Sequence, residues 1–150
     1  MNERKTIEES LEESGIYVGL TKGVSMRPML REGRDTILIT PTAGRLKKYD
    51  VPLYRRGEDY VLHRVVEVRE DDYVICGDNC LEREYGVRDD QIVGVLSGFR
   101  RGGKYVAIDD ARYLLYAKLW VGLYPIRRCF MRLRGRVYQC LRRLFPRKKK

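Results

Sequence analysis

Acidic residues are missing from the C-terminal part of this 150-residue chain, and histidine occurs only once. All 21 Asp and Glu lie in residues 1–110 together with 18 of the 31 Lys and Arg, whereas residues 111–150 hold the other 13 Lys and Arg. The net charge of +10 therefore comes from a basic tail on a mildly acidic body. Such asymmetry indicates a polyanionic partner, either a nucleic acid or an anionic membrane surface.

Long apolar runs are missing as well. The longest, residues 113–126, contains Lys118 and is shorter than the roughly 20 apolar residues that cross a bilayer. The first 15 residues are polar and acidic, so they lack the apolar run of a signal peptide. We therefore expect a cytoplasmic protein without a spanning helix.

Cysteine is too scarce to frame a disulfide-rich domain, since the chain holds only four. Without export, all four are expected to be reduced thiols. Cys76 and Cys80 flank a turn at a spacing that suits a metal, but the lack of further ligands nearby favours ordinary thiols. We expect no metal and no other cofactor.

Short segments rich in Val, Ile and Tyr alternate with turn-forming residues over most of the body. Residues 2–14 precede these segments as a short helix that Gly15 ends. The predicted strands are residues 16–21, 36–40, 51–55, 60–68, 73–76, 92–100 and 105–108. Because no helix-length crossover separates them, the pattern predicts a mainly β fold with an antiparallel or mixed sheet.

The spacing of apolar residues becomes helical after residue 109. Residues 111–124 are compatible with an apolar helix, and Pro125 marks a break or kink. From Ile126 onward apolar residues recur at helical spacing, with arginines in most of the gaps. A helix with one apolar and one arginine face is typical of a membrane interface. The predicted organisation is an N-terminal helix (1–15), a β domain (16–108) and a basic amphipathic helical tail (109–150).

Three residues have the chemistry of a nucleophilic site. A serine becomes a nucleophile only when a base accepts its proton, and a third group usually orients that base. His63 is the only side chain that titrates near neutrality without a large pKa shift. Ser25 follows a predicted strand, and Asp78 lies in a Gly-Asp-Asn turn. Ser25, His63 and Asp78 are thus candidates for nucleophile, base and orienting acid.

Each candidate also has an ordinary structural explanation. Ser25 fits the cap of a helical turn at residues 27–31. His63 fits a strand position, and Asp78 fits a residue that closes a hairpin. Taken one at a time, these explanations are favoured over a catalytic role.

Five short sequences, taken together and in order, resemble the boxes of the signal peptidase I superfamily. They are residues 23–30 followed by Gly33 and Asp35, then residues 49–54, 63–66, 77–79 and 92–95. The resemblance covers about residues 17–98, which is most of the body. It is nearest to the endoplasmic-reticulum type, in which a histidine replaces the lysine of the usual bacterial type.

The resemblance implies a β-rich peptidase fold related to the self-cleaving SOS-response repressors. It implies that Ser25 forms the acyl intermediate, that His63 acts first as general base and then as acid, and that the backbone N–H of Ser25 binds the oxyanion. Asp78 matches the acid of the family's Gly-Asp-Asn box. Glu82 and Glu84 are alternates, because a further acid slightly downstream can hold the histidine in the reticulum type.

Two positions depart from the family pattern. Gly23 stands where some bacterial members have a hydroxyl that helps to bind the oxyanion, and Arg34 interrupts the usual Gly-Asp pair. An N-terminal membrane anchor is also missing from the pattern, so removal of secretory signal peptides is not expected. The sequence predicts instead a serine endopeptidase that cuts a leader or linker segment of a peptide or protein, or itself. Its tail would hold it on the inner face of an anionic membrane.

The alternative is a regulator or scaffold that uses a non-catalytic peptidase-like body and binds nucleic acid or a membrane through its tail. Nucleic acid is the less favoured partner, because a segment that tracks phosphates needs no apolar stripe in helical register. The departures at Gly23 and Arg34 leave the scaffold hypothesis open, whereas the presence of both Ser25 and His63 argues against it.

Overall fold

The computed structural model describes residues 5–144 and has two antiparallel β-sheets, one short helix before them and two helices after them. The prediction of a mainly β fold with an N-terminal helix and a helical C-terminal segment is therefore confirmed. The elements are α1 (Ile7–Ser14), β1 (Tyr17–Leu20), β2 (Thr36–Thr40), β3 (Pro52–Arg56), β4 (Asp59–Leu62), β5 (Arg64–Val68), β6 (Tyr73–Cys76), β7 (Glu84–Val87), β8 (Ile92–Arg101), β9 (Lys104–Ala107), α2 (Ala111–Gly122) and α3 (Tyr124–Leu144).

The larger sheet is a half-barrel with the strand order β1-β2-β8-β3-β4. Its longest strand, β8, pairs with β2 and β3 and then with β9 at its C-terminal end. Register shifts at Leu38/Ile39 and Leu53/Tyr54 interrupt the ladders on both sides of β8, and such bulges bend a strand. The bent sheet leaves β1 and β4 as the two end strands of this path.

The smaller sheet has the order β5-β6-β7, and every residue of its central strand β6 is buried. The prediction of one strand over residues 60–68 is wrong, because the chain changes sheets at His63. Leu62 pairs with Leu53 in the larger sheet, whereas Arg64 pairs with Cys76 in the smaller one. His63 therefore lies at the junction of the two sheets.

The main hydrophobic core fixes the loop that follows β1. Met26, Met29 and Leu30 from this loop are no more than 5% exposed and pack in one cluster with strand residues of the larger sheet. Leu11 of α1 and Tyr113 of α2 belong to the same cluster. Burial of these side chains holds the loop between β1 and β2, which carries Ser25, against the sheet.

Side-chain caps define the starts of α1 and α2. Thr6 and Glu9 form a capping box at the start of α1, and Gly15 ends it with a left-handed φ of 69°, as predicted. The Asp110 side chain caps the first turn of α2. Residues 2–4 of the predicted first helix lie outside the described residues.

Helices α2 and α3 are separated by the single residue Leu123. The Leu123 N–H bonds to Leu119 and the Arg127 N–H bonds to Leu123, so helical hydrogen bonding continues across the junction. Pro125 lies in the first turn of α3, where its missing N–H is tolerated. The break predicted at Pro125 therefore falls at Leu123. Among the described helices, none has the length and apolar character needed to cross a bilayer.

Candidate active site

Ser25 lies in the loop between β1 and β2, which is held by its own polar side chains. The Thr21 hydroxyl donates to the Arg31 carbonyl at 2.8 Å. Asp35 is 1% exposed and accepts hydrogen bonds from the Arg31 N–H at 3.0 Å and from Arg101 Nε at 3.1 Å. Asp35, which falls within the first family-like segment, therefore stabilises the loop rather than entering the site.

The Gly-Asp-Asn turn after β6 is bonded directly to this loop. The Asn79 N–H donates to the Ser25 carbonyl at 2.7 Å, and Asn79 Nδ2 donates to the Val24 carbonyl at 3.2 Å. Asn79 thus holds the backbone of the candidate nucleophile through two hydrogen bonds. The sequence analysis assigned no role to Asn79.

His63 Nε2 and the Ser25 carbonyl oxygen both lie close to Gly77. A Cβ placed on Gly77 would lie 2.8 Å from the Ser25 carbonyl oxygen and 3.0 Å from His63 Nε2. Ser25 and His63 also line one cavity of about 600 Å³. The structure therefore brings together the predicted nucleophile and the predicted base. The Ser25 hydroxyl bonds to no other described residue, and such catalytic hydrogen bonds often form only when substrate binds.

Tyr54 and Glu84 determine which nitrogen of His63 carries the proton. The buried Tyr54 hydroxyl donates to Glu84 Oε2 at 2.6 Å and lies 3.3 Å from His63 Nδ1. A hydroxyl has one proton, so Tyr54 can only accept from His63, which assigns the proton to Nδ1. Burial and the bond to Glu84 raise the pKa of Tyr54, which keeps the phenol protonated. Nε2 is then the free acceptor, and it is the nitrogen that approaches Gly77, as the Ser25 carbonyl oxygen does.

The surroundings of His63 favour its neutral form. The side chain is 8% exposed, and burial lowers its pKa below the ordinary 6.5, while the charge of Glu84 partly offsets the effect. A neutral imidazole is the form that can take a proton from a serine hydroxyl. His63 is therefore poised as a base at neutral pH.

Asp78 does not contact His63 in the structure. Its two carboxylate oxygens accept from Arg64 Nε and Nη2, each at 2.9 Å, and the pair is almost completely buried. The Tyr116 hydroxyl donates to the same carboxylate at 2.9 Å. Burial opposes the charge on Arg64, but the Asp78 carboxylate outweighs it and raises the pKa of the guanidinium. Asp78 thus binds Arg64, the residue that follows His63 in the sequence, rather than the histidine itself.

The two alternate acids differ in position. Glu84 reaches His63 through Tyr54, as described above, and it also lies 3.4 Å from Arg56. Glu82 is exposed, and only its backbone carbonyl is used, as an acceptor for the Cys76 thiol at 3.4 Å. Of the three predicted acids, Glu84 is therefore the one connected to His63.

The backbone N–H of Ser25, the implied oxyanion donor, donates to no other residue within the described range. The neighbouring Gly23 N–H is occupied, because it donates to Glu32 Oε1 at 2.8 Å. Ser25 therefore keeps a free backbone donor next to its hydroxyl, as oxyanion binding requires.

Cys80 is the one cysteine that lines the cavity. Its sulfur would lie 2.6 Å from a Cβ on Gly77, on the same side as His63 Nε2. Burial raises the pKa of Cys80, and it raises the pKa of Cys76 to about 11. The Cys80 thiol is therefore protonated near neutrality, when it is a weak nucleophile. All four cysteines are free, and no group of three or more potential metal ligands occurs within residues 5–144.

Comparisons with known protein families, with curated proteins and with solved structures find no match for this chain. Sequence analysis missed Tyr54 as the link to His63 and Arg64 as the partner of Asp78. Both residues fall inside the family-like segments, so their position in those segments was the signal that could have pointed to them.

Proposed function

We propose that the protein is a serine endopeptidase of the signal-peptidase-like class, with Ser25 as nucleophile and His63 as base. The observation that carries the proposal is the common position of His63 Nε2 and the Ser25 backbone, both within 3.0 Å of one point beside Gly77. The Tyr54–Glu84 pair supports it, because it leaves Nε2 free to accept a proton. The order of the family-like segments along the chain supports it independently.

The reaction proceeds through an acyl-enzyme. Ser25 Oγ attacks the carbonyl carbon of the peptide bond while His63 Nε2 takes the hydroxyl proton. The free N–H of Ser25 stabilises the oxyanion. The C–N bond then breaks, and His63 gives its proton to the leaving amine. A water molecule attacks the ester with His63 as base, the acyl–oxygen bond breaks, and the proton returns to Ser25 Oγ.

The substrate is an extended peptide segment. The cavity is lined by residues of β1 and β4, including Leu20 and Leu62, and these strands end the path of the larger sheet. End strands have unpaired backbone N–H and C=O groups, to which an extended chain can add as a further strand. The aliphatic lining provided by Leu20, Ile37 and Leu53 suits apolar side chains near the cut bond.

The tail holds the enzyme at an anionic membrane surface on the cytoplasmic side. Residues 111–150 carry 13 Lys and Arg and no acid. Large apolar side chains of α3 such as Ile126, Phe130 and Leu133 are 59–66% exposed. Cationic and apolar side chains together on one helix bind an anionic bilayer interface. The peptide substrate is therefore a segment that lies near the membrane.

A serine-directed fluorophosphonate probe and a mixed peptide library test the proposal. The wild-type protein should be labelled and should cut peptides, whereas Ser25→Ala and His63→Ala should each lose both activities. Ser97→Ala is the matched control, because Ser97 lies on β8 and its hydroxyl bonds to the Leu38 carbonyl. Labelling that persists in Ser25→Ala would refute the assignment of Ser25 as the nucleophile.

A further inference from the structure

We propose that binding of α3 to an anionic membrane activates the enzyme through Arg127, which positions the loop that carries Ser25. The proposal rests on the peptidase function proposed above and adds its regulation. It joins two features that are otherwise unrelated: an apolar helix face without a partner, and a chain of hydrogen bonds from α3 to the nucleophile.

The chain of hydrogen bonds begins in the first turn of α3. Arg127 Nη1 donates to the Asp78 carbonyl at 2.6 Å, and Trp120 Nε1 of α2 donates to the same carbonyl at 3.0 Å. The Arg127 guanidinium also stacks over the Trp120 ring at 4.2 Å. The Tyr124 hydroxyl donates to the Leu81 carbonyl at 2.6 Å. The junction of the two helices therefore holds the turn after β6 by its backbone.

The same turn holds the nucleophile. Asn79 follows Asp78 directly, and it donates its two hydrogen bonds to the carbonyls of Ser25 and Val24. The path from Arg127 to Ser25 thus crosses a single peptide unit, whose Asp78 carbonyl accepts from Arg127 and whose Asn79 N–H donates to Ser25. A displacement of Arg127 would move the peptide unit that fixes the Ser25 backbone beside His63.

An apolar stripe runs along α2 and α3 without a partner. Its members are between 45% and 66% exposed. They are Leu115, Leu119, Leu123, Ile126, Phe130, Leu133 and Val137. Because helical bonding continues across Leu123, these residues follow one line, and Arg127 lies roughly 90° around the helix from the middle of that line. Residue 127 can therefore bind the body while the stripe binds another surface.

An anionic membrane is the occupant that fits this stripe. The segment around it carries 13 basic residues and no acid, so a second copy of the chain would bring like charges together. A nucleic acid would use the arginines but would leave the apolar stripe in water. A bilayer interface accommodates both sets of side chains at once.

The coupling has a physical basis in helix stability. Residues 132–140 of α3 are exposed on all sides, and a helix without a packed face is only marginally stable. A membrane binds α3 in its helical form more strongly than in other forms, so it shifts the population toward the helix. With α3 formed from its first turn, Arg127 stays on the Asp78 carbonyl, and the Ser25 loop stays in its reactive position.

The test measures the rate at which a fluorophosphonate probe acylates Ser25 in the full-length protein. Vesicles of phosphatidylcholine and phosphatidylglycerol in equal parts should raise the rate at least about fivefold, which is the lower range of allosteric coupling. Vesicles of phosphatidylcholine alone should leave the rate unchanged. Co-sedimentation reports vesicle binding in the same samples.

Three variants separate binding from coupling. Leu133→Glu should lose vesicle binding and stimulation while it keeps the unstimulated rate. Arg127→Gln should keep vesicle binding but lose most of the stimulation. Arg132→Gln is the matched control, because Arg132 is exposed and its loss changes the charge by the same amount; it should be stimulated as the wild type is.

The outcomes distinguish the two proposals. Absence of Ser25 acylation under every condition would refute the peptidase function itself. The coupling alone would be refuted if anionic vesicles did not change the acylation rate of the wild-type protein. It would also be refuted if they raised the rate of Arg127→Gln as much as that of the wild type. A similar rise with duplex DNA would assign the tail to nucleic acid, and a rise with protein concentration would assign the stripe to a second copy of the chain.

Discussion

At the residue scale, the chemistry depends on a proton that Tyr54 places on Nδ1 of His63. Tyr54 is fully buried, and its hydroxyl is shared between the histidine and Glu84. In a serine peptidase triad the acid contacts the histidine directly. Here the Tyr54 hydroxyl lies between His63 and Glu84. The charge of Glu84 raises the pKa of His63 through this arrangement, so in the proposed reaction it would stabilise the imidazolium.

Replacement of Glu84 by Gln tests this arrangement. The charge of Glu84 raises the pKa of His63 against the effect of burial, so its loss should lower that pKa further. The acidic limb of the rate profile should move to lower pH, because His63 then stays neutral at more acidic pH. The plateau rate should fall about tenfold, a part of the 10²–10⁴ that a positioned base contributes.

The matched control for this variant is Glu82→Gln, because Glu82 is exposed and touches no group of the site. Its profile should coincide with that of the wild-type protein. An unchanged pH profile in Glu84→Gln would show that the carboxylate does not act on His63.

Replacement of Asp78 by Asn should affect stability first. The variant leaves the buried Arg64 without its counter-ion, and loss of one partner of a buried ion pair costs about 3–5 kcal/mol. Urea unfolding should show a decrease of this size in the free energy of unfolding. Asp71→Asn is the control, since Asp71 is exposed. Unchanged stability with a displaced pH profile would instead make Asp78 the orienting acid.

Ser25 and His63 could be proposed as a pair from the order of the family-like segments, whereas the hydrogen-bond partner of His63 could not be predicted. Neighbouring strand residues point to opposite sides, so the side taken by His63 decides which acid it meets. That side depends on the change of sheet at His63, which no local pattern indicates. Asp78 was the family-like choice, and the structure pairs it with Arg64.

At the element scale, the site depends on how closely the end of β6 approaches the loop that carries Ser25. Gly77 leaves this contact open, because a Cβ there would lie 2.8 Å from the backbone oxygen of Ser25. A backbone atom cannot rotate away as a side chain can. The lack of a side chain at Gly77 therefore allows the turn after β6 to lie this close to the loop that carries Ser25.

Gly77→Ala should separate Ser25 from His63 and lower the acylation rate by a factor of about 100, within the range for a misplaced catalytic geometry. Far-ultraviolet circular dichroism should show an unchanged fold. The control is Gly122→Ala in α2, where a Cβ meets no atom within 4 Å. A fully active Gly77→Ala protein would show that this contact does not position the nucleophile.

Most strands could be predicted from their Val, Ile and Tyr content, but two features could not. The segment at residues 60–68 has one continuous strand pattern, and its division at His63 follows from pairing with different partners, Leu53 and Cys76. Strand β7 was not predicted, because its residues 84–86 are not buried and give no alternation. It becomes a strand by pairing with the buried β6.

At the scale of the whole molecule, the basic tail contacts the acidic body at the Gly-Asp-Asn turn after β6. Helical spacing in the sequence predicted the helix that the structure shows, and the charge asymmetry is the basis for the proposal that this helix binds an anionic membrane. The bond from Arg127 to the Asp78 carbonyl could not be predicted, since it joins residues 49 positions apart and depends on how α2 packs. Through this contact α3 is bonded to the turn that holds Ser25, which is the structural basis for the proposed coupling.

The measurement that tests the central claim most directly is the intact mass of the full-length protein after reaction with a fluorophosphonate, read between about pH 4 and 9 so that the range extends well below the ordinary histidine pKa. The account predicts one adduct, located on the peptide that contains Ser25, absent from Ser25→Ala, and formed more slowly as the pH falls through the lowered pKa of His63. An adduct at another residue, or none at any pH with or without anionic vesicles, would contradict it.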